Sequence, residues 1–154
     1  MDDEQVEADR ASNAGAVVVV VVASLAAAIG SGSRDPISLV SATSAMLITW
    51  MVWVGLTYFI GTHLLPGPQT HADIGEVLRT TGFSASPGVL RIFGALPGVG
   101  LPIFIGVTIW MLLTFVVAVR QALDYASSGR ALAVCVLGWL LHGLLFFAFV
   151  MVAI

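Results

Sequence analysis

The sequence carries very little charge. Only 10% of its 154 residues are charged, and it contains no lysine, so that every basic side chain is an arginine. Soluble domains carry about 25% charged residues, and a chain of this length cannot hide a 58% hydrophobic composition in its own core. The scarcity of charge therefore excludes a water-soluble fold. It also excludes nucleic-acid binding, which needs a dense basic face.

Cysteine and clustered acids are scarce as well. Cys135 is the only cysteine, so no internal disulfide can form. Five of the nine acidic residues lie within the first nine positions, and the other four are scattered at expected helix ends: Asp35, Asp73, Glu76 and Asp124. No nucleophile, base and orienting group occur together as general acid–base chemistry requires. The sequence therefore predicts a protein that is not an enzyme and has no metal site.

Long apolar runs make up most of the chain. They predict an all-α transmembrane helix bundle with five membrane segments, at about 14–30, 37–65, 84–96, 102–125 and 131–153. The acidic residues 1–13 read as a disordered tail before this single domain, 14–154. Residues 69–83 form the only sizeable polar connection, and their helical spacing of apolar residues indicates a short interfacial helix. As an α-helix, segment 84–96 would rise only about 20 Å, which makes it a short span or a re-entrant element.

The arginines favour a complete third crossing. If segment 84–96 crosses, four arginines share one side of the membrane and only Arg34 lies opposite: Arg10, Arg79, Arg120 and Arg130. If it does not cross, this bias disappears. The positive-inside rule therefore favours five crossings with a cytoplasmic N-terminus.

Two helix faces carry small residues at helical spacing. Helices in lipid associate through small and polar side chains. One face lies on the second helix and the other on the last helix: Ser38, Ala42, Ala45 and Thr49, and Ala131, Cys135, Gly138 and His142. We expect both faces to point into the bundle; the alternative is that one of them docks another protein.

Four arginines are candidates for contact with lipid headgroups: Arg79, Arg91, Arg120 and Arg130. Arg91 lies inside the third segment, where a charge is costly and marks a candidate functional site. The structural interpretation places it about one turn from the cytoplasmic end, extending to the headgroups or pairing with Glu76 or Asp124. The functional alternative is binding of a lipid phosphate.

Two histidines could in principle ligate a metal or a pigment. His142 falls near the middle of the last helix, and His63 precedes a Pro-Gly-Pro turn. Neither has a second ligand at a recognised spacing. We therefore expect no cofactor other than lipids, with His142 hydrogen bonded inside the bundle.

Several short motifs follow one another along residues 37–154, in this order and spacing: Gly82-Phe83-Ser84-Ala85-Ser86-Pro87, Pro97-Gly98, Trp110, Arg120-Gln121-Ala122-Leu123 and Gly129-Arg130-Ala131. Together they resemble the Yip1-domain family of polytopic membrane proteins. The resemblance implies a five-helix bundle with a cytoplasmic N-terminus. Eukaryotic members act in early secretory membranes, bind Rab GTPases and influence membrane shape. The short tail and short third segment of this chain depart from the family, so the GTPase-binding role is not carried over.

Two functions remain open. The first is a non-enzymatic scaffold or accessory subunit of a larger membrane complex, for example a respiratory or photosynthetic one. The second is a stand-alone membrane-organising or trafficking protein of the Yip1 type, or a small transporter. A transporter should show an internal repeat and paired broken helices around a midplane site, whereas only one broken region is visible here. The expected partners are membrane lipids and other membrane proteins, and the expected location is a bacterial inner membrane.

Overall fold

The computed structural model describes residues 3–67, 70 and 72–153. Within them the chain is all-α: 85% of it is helical and no strand is present. The long elements are α1 (Asp3–Gly30), α2 (Pro36–Phe59), α3 (Ile74–Ser84), α4 (Gly100–Ala122) and α5 (Ser128–Ala153). A π-helical turn, Ile60–Leu64, extends α2, and a 3₁₀ helix, Ser86–Ala95, follows α3.

Local sequence explains where two of these helices begin. Asp35 caps α2 by accepting a hydrogen bond of 2.8 Å from the Ser38 amide, and Pro36 takes the first helical position. Asp73 caps α3 in the same manner through the Gly75 amide. The prediction of a disordered tail over 1–13 is wrong for its described residues, because α1 begins at Asp3 and runs without a break into the valine run. Acidic residues near a helix N-terminus stabilise it through the helix dipole.

Five rods alternate in direction along the chain. In space they close into a ring whose order is α1, α3 with the 3₁₀ helix, α4, α5 and α2, which returns to α1. We call the end that holds the C-terminus of α2 and the α4–α5 connection the polar end. The opposite end, which holds the turn Ser31–Asp35 and residues 96–99, is the hairpin end. Trp53 lies against Gly138, and Gly67 approaches Arg130, so α2 and α5 run antiparallel.

The third rod consists of two kinds of helix. It follows α1 in the same direction, from a contact between Gly75 and Asn13 to contacts of Arg91 and Gly94 with Gly30. The 11 residues of α3 rise about 16 Å. The 10 residues of the 3₁₀ helix rise about 20 Å, because this helix gains about 2 Å per residue. The predicted short segment 84–96 is therefore only the second half of a rod about 36 Å long.

Small residues of α1 hold this rod in place. Ala16, Ala23 and Ala27 are buried, and a side chain at Gly82 would come within 2.7 Å of the Ala16 Cβ. Near the hairpin end, Gly30 touches the backbone of Arg91 directly. Close backbone approach of this kind is how helices associate where lipid removes the hydrophobic driving force.

Among the residues that the structure describes, three helices are long and apolar enough to cross a membrane: Glu4–Gly30, Pro36–Leu64 and Gly100–Ala122. A further apolar stretch, Ser128–Leu144, belongs to α5. Large hydrophobic side chains cover the outside of the bundle; Leu101 and Trp139, for example, are 69% and 74% exposed. Such a surface is consistent with a membrane protein, because lipid is the solvent that suits it.

Candidate functional site

The two small-residue faces lie in different surroundings. On α5, Ala131, Cys135 and Gly138 are buried, and Gly138 lies against the Trp53 ring. On α2, Ser38 and Ala42 are only half-buried, and Ala45 and Thr49 are exposed. The expectation that both faces point inward therefore fails for α2, because α1 and α5 pack on its opposite side, where Thr43, Val54 and Thr57 are buried.

His142 is half-buried between α5 and α2. Its ring stacks on Trp53, with centroids 5.7 Å apart, and its Nδ1 atom is buried without a hydrogen-bond partner among the described residues. The expected hydrogen bond inside the bundle is therefore not made by Nδ1, and the hydroxyl-bearing residues Ser41 and Thr49 lie on the exposed side of α2. His63 lies in the π-helical turn, stacks on Phe59 and meets the Thr62 hydroxyl at 2.7 Å. Among the described residues, no three His, Cys, Asp or Glu side chains come together as a metal site would require.

A latch joins α2 to the α4–α5 connection at the polar end. The π-helical turn leaves backbone carbonyls without their usual partners, and the Tyr125 hydroxyl donates to two of them. It lies 2.6 Å from the Leu65 oxygen and 3.1 Å from the Gly61 oxygen. Leu123 is fully buried against Gly61. Burial raises the pKa of Tyr125, which keeps the hydroxyl protonated as a donor.

Three of the four candidate headgroup arginines are engaged within the protein. Arg120 donates to the Tyr125 and Ala126 carbonyls and to the Ser128 hydroxyl, and so holds the end of α4. Arg130 reaches the Pro66 carbonyl at 3.5 Å. Arg79 pairs with Asp9 at 3.0 Å, which ties α3 to the N-terminal turns of α1. Arg120 and Asp124 are four residues apart and could pair on a continuous helix, but Asp124 lies beyond the end of α4 in a left-handed conformation with φ of 49°.

Arg91 differs from these three in position and surroundings. Its guanidinium lies 5.3 Å from the Phe104 ring centroid and donates to the Thr108 hydroxyl at 3.2 Å. Its Nε atom is buried and has no hydrogen-bond partner in the described part of the chain. The expected pairing of Arg91 with Glu76 or Asp124 is wrong, because the 3₁₀ helix carries Arg91 to the hairpin end, whereas both acids lie at the polar end.

Glu76 lies in the first turn of α3 at the polar end. Burial, and secondarily the negative charge of Asp124, raise the pKa of its carboxyl group. A raised pKa in the folded state means that the stability this group contributes is present at low pH and is lost as pH rises through the folded-state pKa. We expect Glu76→Gln to raise the midpoint of thermal unfolding at pH 7 and to leave it unchanged near pH 4. Glu7→Gln, which removes one exposed charge, should change neither; a loss of stability at pH 7 on Glu76→Gln would contradict this reading.

Two structural features have weak signals in the sequence. The buried face of α1 combines Ala16, Ala23 and Ala27 at spacings of seven and four, a pattern as regular as the faces predicted on α2 and α5. The latch residue Tyr125 follows the helix end, where nothing in the sequence distinguishes it from an interfacial aromatic.

Comparison of the chain with protein-family models, with curated proteins and with solved structures finds no match.

Proposed function

We propose that this protein is a non-enzymatic integral membrane protein that associates with a larger membrane complex as an accessory or scaffold subunit. One observation carries the proposal: the small-residue face of α2 lies on the outside of the bundle. Ala45 and Thr49 are exposed on a helix whose other exposed positions include Ser41 and Gly55. Lipid-facing positions gain nothing from small side chains, whereas contacts between membrane helices do.

The proposed topology has five crossings with the N-terminus in the cytoplasm of a bacterial inner membrane. Its support is that the third rod reaches about 36 Å, more than the roughly 30 Å of a hydrocarbon core. The positive-inside rule orients the bundle, because four of six arginines belong to the polar end, whereas Arg34 and Arg91 lie toward the hairpin end.

The second candidate is a stand-alone membrane-organising protein of the Yip1 type. It is supported by the alternation of five rods, which is the architecture that the sequence resemblance implies. This candidate predicts that the exposed face of α2 meets lipid or a second copy of the chain. The two candidates therefore differ in what contacts Ala45.

Photo-crosslinking from α2 in native membranes tests this difference. A photoreactive residue at position 45 should give one discrete adduct with a different membrane protein, identified by mass spectrometry. The same residue at position 113 is the matched control, because Leu113 is 62% exposed on α4 among bulky side chains. Position 113 should give no discrete protein adduct.

Two results would decide against the accessory role. An adduct at position 45 with twice the mass of the chain would identify a homo-oligomer and favour the stand-alone candidate. Equal, diffuse labelling of lipid at both positions would show that α2 has no protein partner.

A further inference from the structure

We infer that Arg91, held by Phe104 and Thr108, binds the phosphate of an anionic lipid headgroup at the hairpin end of the bundle. The inference is independent of whether the chain has a protein partner. It rests on the level at which Arg91 lies, on the way its side chain is held and on the absence of a carboxylate beside it.

The level of Arg91 is fixed by α1. Gly30, the last residue of α1, touches the Arg91 backbone carbonyl. The polar turn Ser31–Asp35 follows immediately, and its Arg34 and Asp35 side chains are exposed. A turn of this polarity belongs among headgroups and water. Headgroups that cover this turn therefore lie close to the level of the Arg91 backbone.

At the hairpin end, α4 extends further from the middle of the bundle than the end of α1 does. Thr108 lies about 12 Å along α4 from its first residue, and the residues before it include the exposed Leu101 and Phe104. Arg91 thus lies at a step, where α1 has ended and α4 continues as an apolar wall. Lipid headgroups are drawn inward at such places, because an intramembrane arginine is accommodated by local thinning of the bilayer.

The Arg91 side chain is directed along this wall. An arginine that only extends toward water would point to the nearest helix end. Here the guanidinium instead lies over the Phe104 ring, 5.3 Å from its centroid, and donates through Nη2 to the hydroxyl of Thr108, about one turn further along α4. The backbone on Gly30 and the guanidinium on α4 hold the group at both ends. A guanidinium fixed in this way can present its remaining donors to a tetrahedral phosphate.

No protein carboxylate neutralises this charge in the described part of the chain, where the one recorded ion pair is that of Arg79 with Asp9. Asp35, the acid that belongs to the hairpin end, accepts from the Ser38 amide as the cap of α2. The Arg91 Nη2 atom, by contrast with the buried Nε atom, meets the Thr108 hydroxyl in an exposed position. A cation without a carboxylate partner at the bundle surface calls for an anionic acceptor at its exposed nitrogen atoms, and the lipid phosphate is the acceptor present along every membrane edge.

Native mass spectrometry of the full chain in mild detergent tests the inference. Phosphatidylglycerol, phosphatidylcholine and inorganic phosphate are each titrated against the wild type and its variants. We expect the wild type to retain phosphatidylglycerol at least about tenfold more tightly than phosphatidylcholine. Arg91→Gln should weaken phosphatidylglycerol binding about tenfold or more, as the loss of a charge-assisted hydrogen bond predicts.

Two further variants separate binding from folding. Arg34→Gln removes an exposed arginine of the same end and should change lipid affinity less than about twofold, because Arg34 belongs to the exposed turn after α1 and an exposed charge contributes little. Thr108→Val leaves the Arg91 charge in place and keeps the size of the side chain at position 108, but it removes the hydroxyl that accepts from Arg91. It should therefore weaken lipid binding by about threefold. It serves as the decisive variant if Arg91→Gln does not fold.

Three outcomes would overturn the inference. Equal retention of phosphatidylglycerol by the wild type, Arg91→Gln and Thr108→Val would show that Arg91 and Thr108 do not form a lipid-binding site. Equal affinity for phosphatidylcholine would remove the preference for an anionic lipid. Displacement of the lipid by millimolar inorganic phosphate would assign the site to a free anion.

Discussion

Gly30→Ala is expected to disrupt the bundle. A Cβ atom at position 30 would overlap both the oxygen and the carbon of the Arg91 carbonyl group. A backbone atom cannot swing aside as a side chain can, so the 3₁₀ helix and α1 must move apart. We expect a loss of about 3 kcal/mol or more in the free energy of unfolding. The measurement is the midpoint of thermal unfolding in detergent, together with the monodisperse fraction on size exclusion.

Gly106→Ala is the matched control for this substitution. Gly106 is an exposed residue inside α4, and an added Cβ there meets no atom within 4 Å. Alanine is favoured over glycine in a helix interior by about 1 kcal/mol, so this variant should unfold at the same temperature or slightly higher. If Gly30→Ala were as stable as Gly106→Ala, direct backbone contact between α1 and the 3₁₀ helix would be ruled out.

The helical class of the fold could be predicted from composition and hydropathy, because a lipid-facing surface leaves a strong signal in every segment. The boundaries of α2 and α4 also followed closely, since Pro36 and the Pro97–Gly100 break stop helices by local geometry. The length of the third rod could not be predicted. The polar residues of α3 indicated a separate interfacial helix, whereas α3 continues into the 3₁₀ helix and adds about 16 Å to the rod.

The sequence predicted which helix faces carry small residues better than it predicted which helices those faces contact. Helical spacing located candidate faces on α2 and α5, but spacing cannot say which neighbour a face meets. Ala131 and Cys135 became buried, whereas Ala45 and Thr49 did not. The face that organises the bundle lies on α1, where a run of valines and alanines resembles ordinary lipid-facing sequence.

The candidate site around Arg91 shows the same limit. Its charge inside an apolar segment marked it for attention, yet its level in the bundle depended on the helix type that precedes it. Phe104 and Thr108 are separated from Arg91 by the break at 96–99, and only the antiparallel packing of α4 brings them together. The arginines at the polar end were marked by topology alone, and the structure assigns Arg79, Arg120 and Arg130 to internal contacts.

Tyr125→Phe is expected to loosen the polar end without disturbing the rest of the bundle. The substitution keeps the ring, which is buried against α2, and removes the hydroxyl that donates to the Gly61 and Leu65 carbonyls. Those carbonyls lie at the π-helical turn, where the regular helical bonding of α2 ends. Leaving buried acceptors unpaired costs about 1–3 kcal/mol. We therefore expect the free energy of unfolding to fall by that amount and the midpoint of thermal unfolding to fall with it.

Hydrogen exchange of the backbone locates the effect. Amides of residues 60–65 and 120–126 should exchange faster in Tyr125→Phe, while those of α1 beside the 3₁₀ helix should not change, because local opening need not involve the whole bundle. Tyr58→Phe is the matched control. It removes a tyrosine hydroxyl from α2, and this hydroxyl takes no part in the bonds to the Gly61 and Leu65 carbonyls. Faster exchange spread evenly over all five rods, or none at residues 60–65, would show that the Tyr125 hydroxyl does not join α2 to the α4–α5 connection.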